Sequence, residues 1–337
     1  MGLLGKVFGL EKKGKISLTV DKPSYIAGEL VVGSINITVL EPIECEAVVL
    51  KATGKEKVKW AEQRTETDGD GHSRQTTHHH SKEHEFFKQK MVICSIPNTY
   101  MPGTYTYPFE YQLPPDLPGV FEIEDYSGGL VRDITCRISY KLKATLDVNG
   151  FFAKDLKANY HLTVHEQLTQ TIQPGHDSTS QSVNFLCCFN KGTCHLDVAM
   201  DKNVYLAGET AQVYCKINNG SQVDITNMRC KLVQAINFKA HGHNETFTRE
   251  LCRQTFPGVP AGAVMEQPQP LPLVPNVHEK AIINPSTSGR LITCSYHVDV
   301  ECNIPWCPDV RLRLPLTVIA PMLVMAPIPA MPFPEPM

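Results

Sequence analysis

Long apolar runs are missing from this 337-residue chain. No stretch approaches the ~20 consecutive apolar residues that a membrane-spanning helix requires. The N-terminal Gly2-Leu3-Leu4 is broken at Lys6, too early for the core of a secretion signal. Gly2 also opens a myristoylation pattern, but Lys6 occupies the position where that pattern takes Ser or Thr. Charge of one sign is scarce: 32 Lys and Arg face 35 Asp and Glu, a net charge of −3. No global basic field is available to recruit nucleic acid, so that partner class is disfavoured and none is expected. Signatures of catalysis are absent too, with no G-x-S-x-G elbow, P-loop, H-E-x-x-H or dinucleotide fingerprint. No enzyme and no cofactor are expected. Tight C-x-x-C pairs do not occur among the twelve cysteines, and in a reducing cytosol these residues read as thiols rather than as a disulfide framework.

What the chain does have is a duplication. D-K-x-x-Y-x-A-G-E runs from Asp21 to Glu29 and again from Asp201 to Glu209, 180 residues later. That spacing is far longer than a solenoid repeat, so each copy belongs to a domain with its own core. Ile16, Leu18 and Val20 alternate with polar residues before the first copy, and Leu196, Val198 and Met200 do so before the second. Period-two alternation predicts strands, and Ala27-Gly28 and Ala207-Gly208 predict tight turns after them. Runs of strand length recur at 45–50, 137–143, 212–217 and 296–300 with turn residues between them, and long helical periodicity is absent. The fold class is all-β, with two tandem immunoglobulin-like antiparallel sandwiches. Residues 1–168 form the first and 184–320 the second. The polar stretch 169–183 is expected as a hinge, and the proline-dense 321–337 as an extended, disordered tail.

The run Gly103-Thr104-Tyr105-Thr106-Tyr107-Pro108-Phe109-Glu110-Tyr111-Gln112-Leu113-Pro114 resembles a G-x-x-x-x-P-F-x-(F/Y)-x-L-P segment of arrestin N-domains, and Ile138 to Ala144 resembles the Y-x-I/L-K-A strand of the same family. Leu196 to Ile217, Ile292 to Val300 and Leu314 to Ile319 are similar to the arrestin C-domain. Phe185-Leu186-Cys187-Cys188-Phe189 is similar to the cysteine-rich entry into the second domain of α-arrestins, the arrestin domain-containing proteins. The resemblance implies a non-catalytic cytosolic adaptor. Its partners would be cytoplasmic tails of membrane proteins, phosphorylated ones among them, and trafficking machinery or ubiquitin ligases. It would act in endocytosis, endosomal sorting or ubiquitination, with recruitment to the plasma membrane or endosomes. One departure is clear: the P-P-x-Y motif through which many α-arrestins recruit ligases does not occur, and Pro114-Pro115-Asp116-Leu117 lacks its tyrosine.

Candidate site residues come in three groups. Lys12, Lys13 and Lys15 precede the first strand, where the resemblance implies a lysine pair that contacts cargo phosphate; a phosphate or an anionic lipid head group would suit their ammonium groups, and a plain solvated basic start is the alternative. Cys187 and Cys188 are acylation candidates. With Cys194, Cys302 and Cys307 they also read as zinc ligands or, more simply, as small buried hydrophobes. His72, His78, His79, His80 and His84 fall in one polar stretch expected to be a flexible insertion between strands, and consecutive imidazoles in such a loop rarely close a metal site, so none is assigned. Two other readings stand beside the adaptor. One is a coat subunit of retromer type. The other is an extracellular adhesion pair, suggested by the even cysteine count and the N-x-S/T sequons at Asn36, Asn219 and Asn244.

Overall fold

The computed structural model describes residues 3–4, 13–67, 69, 72–96, 99–125, 130–148, 156–186, 188–277 and 281–321. Lys12, Cys187 and residues 322–337 of the tail lie outside the described residues. Every longer element among those described is a strand, and no helix there is long and apolar enough to cross a membrane.

Two compact units divide the chain. The first comprises Met1–Gln167, Ala235–Phe247 and Thr287–Cys294; the second comprises Leu168–Gln234, Thr248–Ser286 and Ser295–Met337. The first is therefore discontinuous in sequence.

In the first unit the strands are β1 (Gly14–Val20), β2 (Leu30–Val39), β3 (Ile43–Thr67), β4 (Ser73–Ser95), β5 (Gly103–Gln112), β6 (Val131–Val148) and β7 (Leu156–Leu162). One antiparallel sheet runs β1–β2–β5 and the other β7–β6–β3–β4. Alternation decides which face is inward. Ile16, Leu18 and Val20 of β1, Ile35 and Ile37 of β2, and Ile138, Tyr140 and Leu142 of β6 are all buried, while Lys15 on β1 is exposed. Each large apolar side chain removed from water in this way contributes roughly 1.5–3 kcal/mol.

The second unit repeats the plan with β8 (Gly175–Phe185), β9 (Phe189–Met200), β10 (Val213–Ser221), β11 (Ile225–Ala240), β12 (His243–Val259), β13 (Val264–Pro268), β14 (Ile292–Asn303) and β15 (Val310–Ile319), except that the end of β11 from Ala235 and the starts of β12, to Phe247, and of β14, to Cys294, belong to the first unit. Its sheets run β8–β9–β10–β13 and β15–β14–β11–β12. Leu196, Val198 and Met200 of β9 and Leu312, Leu314 and Leu316 of β15 fill the interior. Asn219 is buried as well. Its amide donates to the carbonyls of Val223, Val259 and Pro260, so this sequon asparagine is held inside a loop junction with no room for a glycan.

The duplicated motif builds the same small lattice in both units. Tyr25 Oη donates to Asp21 Oδ1 at 2.5 Å and Tyr205 Oη to Asp201 Oδ1 at 2.6 Å. Glu29 accepts from Lys22 Nζ at 3.3 Å and from the Ile26 N–H at 3.0 Å; Glu209 accepts from Lys202 Nζ at 3.0 Å and from the Leu206 N–H at 2.9 Å. Gly28 (φ 85°) and Gly208 (φ 90°) turn the chain in the left-handed region, where a Cβ is strained. The repeat thus marks structural brackets that lock a buried tyrosine beside a strand turn.

Two stretches differ from the sequence-based expectation. The histidine-rich segment is strand, not loop: β4 pairs with β3 from Ala47↔Ser95 to Thr67↔Ser73, and those backbone bonds order polar residues that have no apolar pattern of their own. Within the stretch expected as a hinge, 175–183 lies in β8, which pairs with β9 from Gly175↔Met200 to Phe185↔Phe189.

Candidate functional site

β3, β6 and β7 turn one set of side chains into the core of the first unit and the alternate set outward. The outward set gathers Thr53, Lys55 and Lys57 from β3, Arg137, Ser139 and Lys141 from β6, and His161 from β7 around a groove of about 330 Å³. Lys55 shares its charge with Glu83 at 3.1 Å and Arg137 with Glu122 at 3.4 Å, both at exposed positions where ion pairs contribute little and exchange readily. The groove therefore presents cations and hydroxyls able to take an anionic segment through charge-assisted hydrogen bonds. β4 borders the same sheet as its terminal strand, 23 residues long, and the N–H and C=O groups along its outer edge are a template for an added extended strand.

On the inward face of β3, Glu56 sits between Lys55 and Lys57 yet is fully buried. Its carboxylate accepts from the Leu291 N–H at 2.8 Å and the Ile292 N–H at 3.2 Å, and Gly289 leaves the space it occupies: a Cβ there would lie 2.4 Å from Glu56 Oε2. Burial pushes this carboxyl above its ordinary value, against the pull of those two amides. Close by, Glu166 Oε2 accepts from the Thr287 hydroxyl at 3.1 Å and the Ser288 N–H at 2.7 Å, so two carboxylates secure the 287–294 segment within the first unit.

The histidines divide by their partners. His78 Nε2 lies 3.2 Å from Thr76 Oγ1 and 3.3 Å from Glu66, and His79 is exposed. His80 turns the other way, stacking on Trp60 with centroids 4.8 Å apart and meeting His243 at 4.4 Å, while its Nε2 lies 3.3 Å from Glu62 Oε2. Glu62 and His243 had no place among the sequence candidates. Only the fold brings the three together.

Of the sequence candidates, Lys13 and Lys15 are exposed and flank Gly14 at the start of β1. Cys188 is exposed in the turn between β8 and β9, whereas Cys194 and Cys302 are buried and Cys307 is half-buried. No zinc-type cluster of cysteines forms among the described residues, and the cysteines described are unbridged thiols. Around Cys188 the surface is apolar: Leu186, Phe189 and Trp306 are 56%, 62% and 77% exposed. Leu186 (φ 47°) and Trp306 (φ 62°) both adopt the left-handed region, and the Leu186 N–H donates to the Trp306 carbonyl at 3.0 Å, which fastens the two turns into one apolar tip of the second unit. Non-glycine residues in that conformation cost free energy that neighbouring bonds must offset.

Comparison with known proteins follows the same two-part order. Residues 14–170 match the family described as Arrestin (or S-antigen), N-terminal domain, and residues 190–322 match Arrestin (or S-antigen), C-terminal domain. The chain is similar to arrestin domain-containing protein A of Dictyostelium discoideum, 29% identical over 329 residues, which are 96% of this chain and 54% of that protein. It therefore spans about half the length of that relative. Arrestin domain-containing protein 5 of Bos taurus is 22% identical over 322 residues, 90% of each chain, and arrestin domain-containing protein 17 of Caenorhabditis elegans is 24% identical over 327 residues, 87% of this chain and 68% of that one. With both family domains matched in sequence and built as tandem β-sandwiches, the chain belongs to the arrestin family.

Proposed function

We propose that this protein is a non-catalytic adaptor that binds cytoplasmic segments of membrane proteins and directs their endocytosis, endosomal sorting or ubiquitination. Membership of the arrestin family makes an adaptor the starting point, and the observation that carries the reading further is the basic groove of Lys55, Lys57, Arg137 and Lys141 on a sheet that ends in the long edge of β4. An extended acidic or phosphorylated tail would pair its backbone with β4 and set its anions against the groove, so affinity comes from the edge and selectivity from charge. Lys12, Lys13 and Lys15 are a second basic point for such a tail. The modules of this adaptor are 1–168 and 184–320; of the 169–183 stretch between them, β8 takes 175–183 and 169–174 remains as the joint, a division supported by the gap between the two family matches.

Membrane recruitment is part of the same proposal. Cys188, together with Cys187, is the acylation point; an acyl chain on Cys188 would join Leu186, Phe189 and Trp306 in one apolar surface able to enter a bilayer interface. The adaptor therefore works from the cytoplasm, at the plasma membrane or endosomes.

The test is fluorescence anisotropy with paired cargo-tail peptides, phosphorylated and unphosphorylated, against wild-type protein, a Lys57→Glu, Lys141→Glu variant and a Lys12→Ala, Lys13→Ala, Lys15→Ala variant. The phosphorylated peptide is expected to bind at least tenfold more weakly to the groove variant, with a steep loss on adding salt. Equal affinities for all proteins and both peptides would remove the groove and the lysines from the reading. Proximity labelling in cells then separates the routes: transporters, receptors or ligases support the adaptor, and stable co-purifying coat subunits support a retromer-type coat.

A further inference from the structure

We propose that Glu62, His80 and His243 form a binding site for one divalent transition-metal ion, with Zn²⁺ the ion their donors fit best. The three side chains reach one point from three strands: Glu62 from β3, His80 from β4 and His243 from the start of β12, all within the first compact unit. Their ligand atoms all lie within 4.8 Å of one another. Donors on a tetrahedral zinc ion, at bonds of roughly 2.0–2.2 Å, sit about 3.4 Å apart. The Glu62 Oε2 to His80 Nε2 edge, at 3.3 Å, already has that length, and small side-chain rotations close the others.

An independent observation points to a ligand here. His80 Nε2 is sealed from solvent and has no well-aligned hydrogen-bond partner; the polar atom it faces is Glu62 Oε2 at 3.3 Å, the second donor of the site. A buried ring nitrogen whose polar neighbour is poorly aligned is only partly compensated for leaving water, and coordination between the two supplies the rest. The other histidines nearby are otherwise engaged. His241 Nε2 lies 3.1 Å from the Ser81 carbonyl, and His78 faces Thr76 and Glu66.

The surroundings suit a metal ligand set. Arg64 donates to Glu62 Oε1 at 2.7 Å and Oε2 at 3.0 Å, which fixes the orientation of the carboxylate. A carboxylate has about four lone-pair directions, so it can hold the guanidinium and still offer one to a cation, in the manner of an outer-shell partner. The positive charge of Arg64 opposes the ion and sets an upper limit on affinity. Trp60, stacked on His80, fixes the plane of that ring. Two imidazoles and one carboxylate select against Ca²⁺ and Mg²⁺, which take oxygen shells, and leave a fourth zinc position for water. The bound ion would clip the 235–247 segment to β3 and β4.

The experiment uses the full chain stripped with EDTA. Zn²⁺ is titrated in competition with a chromogenic chelator, and Co²⁺ is followed by its visible absorption, which is intense only in tetrahedral sites. One equivalent per chain is expected, with a melting temperature that rises with free Zn²⁺. His243→Gln and His80→Gln should each lose the one-equivalent step and the thermal shift, and His79→Gln should keep both. His243 is partly exposed, so its variant is the safer reading if His80→Gln fails to fold. In a Trp306→Phe background, Co²⁺ should also quench the remaining indole, Trp60. Absence of a one-equivalent step in the wild type overturns the proposal, as does equal binding by His243→Gln and His79→Gln, which would mean scattered surface histidines only.

Discussion

At the level of single residues, the duplicated Asp and Tyr show what repetition in sequence preserves. Asp21 Oδ1 accepts from the Tyr25 hydroxyl and from the Val32 N–H at 3.3 Å; Asp201 Oδ1 accepts from Tyr205 and from the Gln212 N–H at 3.1 Å. Removing either carboxylate leaves a tyrosine hydroxyl and an amide without an acceptor, a cost of about 1–3 kcal/mol. Asp21→Ala and Asp201→Ala should therefore destabilise by similar amounts in urea unfolding, each in its own unit. Glu301 gives a prediction in pH. Burial alone would raise its carboxyl, but Lys231, in hydrogen-bond contact, and Arg311 at 3.2 Å outweigh that and hold it below the ordinary 4.5. The unfolded chain then binds more protons than the folded one, so this stability is present above pH 4.5 and is lost as pH falls through the depressed value. Glu301→Gln should cost about 3 kcal/mol at pH 7, since Lys231 is left buried without its counter-ion, and the gap to the wild type should narrow in acid. Parallel denaturant melts at pH 7 and pH 4 check it.

At the level of elements, β3 and β4 are held in register by an interruption. Gly54 pairs with Phe87 and Lys55 with Glu85, so Phe86 is an extra residue in β4 and a bulge forms there. Both Phe86 and Phe87 then reach Tyr140, with centroids 6.2 and 6.1 Å away. Gly54 makes this possible, because a Cβ on it would lie 2.5 Å from the Phe87 ring and 2.7 Å from the Tyr140 ring. Gly54→Ala should overpack the site and cost about 1–3 kcal/mol, read as a lower melting temperature and as faster amide exchange along β4. The same β4 is charged at Lys82, Glu83, Glu85, Lys88 and Lys90. Charge on a terminal strand discourages indiscriminate edge pairing and leaves it open to a partner of complementary sequence.

At the level of the whole molecule, the discontinuity of the first unit has a measurable consequence. Trp60 is fully buried, with Phe238 edge-on at 5.1 Å, and Glu56 takes its two amide donors from Leu291 and Ile292. A fragment ending at residue 168 lacks all three of those partners. It should show red-shifted emission from Trp60, its only tryptophan, and a lower melting temperature than the intact chain. Emission unchanged from that of intact Trp306→Phe protein would show that the later segments do not cover Trp60.

The sequence by itself determined what is local and periodic: the alternation that places Ile16, Leu18 and Val20 inward, the turns at Gly28 and Gly208, the duplication, and the strings that mark the arrestin family. Each depends on neighbours within a few residues, which a linear reading sees. Tertiary structure decided the rest. The histidine stretch has no apolar period and reads as loop, yet the backbone of β3 supplies partners along its length and makes it a strand. Glu56 stands between two lysines and reads as surface, yet its place on the inward face of β3 buries it against amides from the far end of the chain. His243 joins His80 and Glu62 only because the turn before β12 packs in the first unit. Such pairings are set by register and packing between distant segments, and a period of two residues carries no record of them.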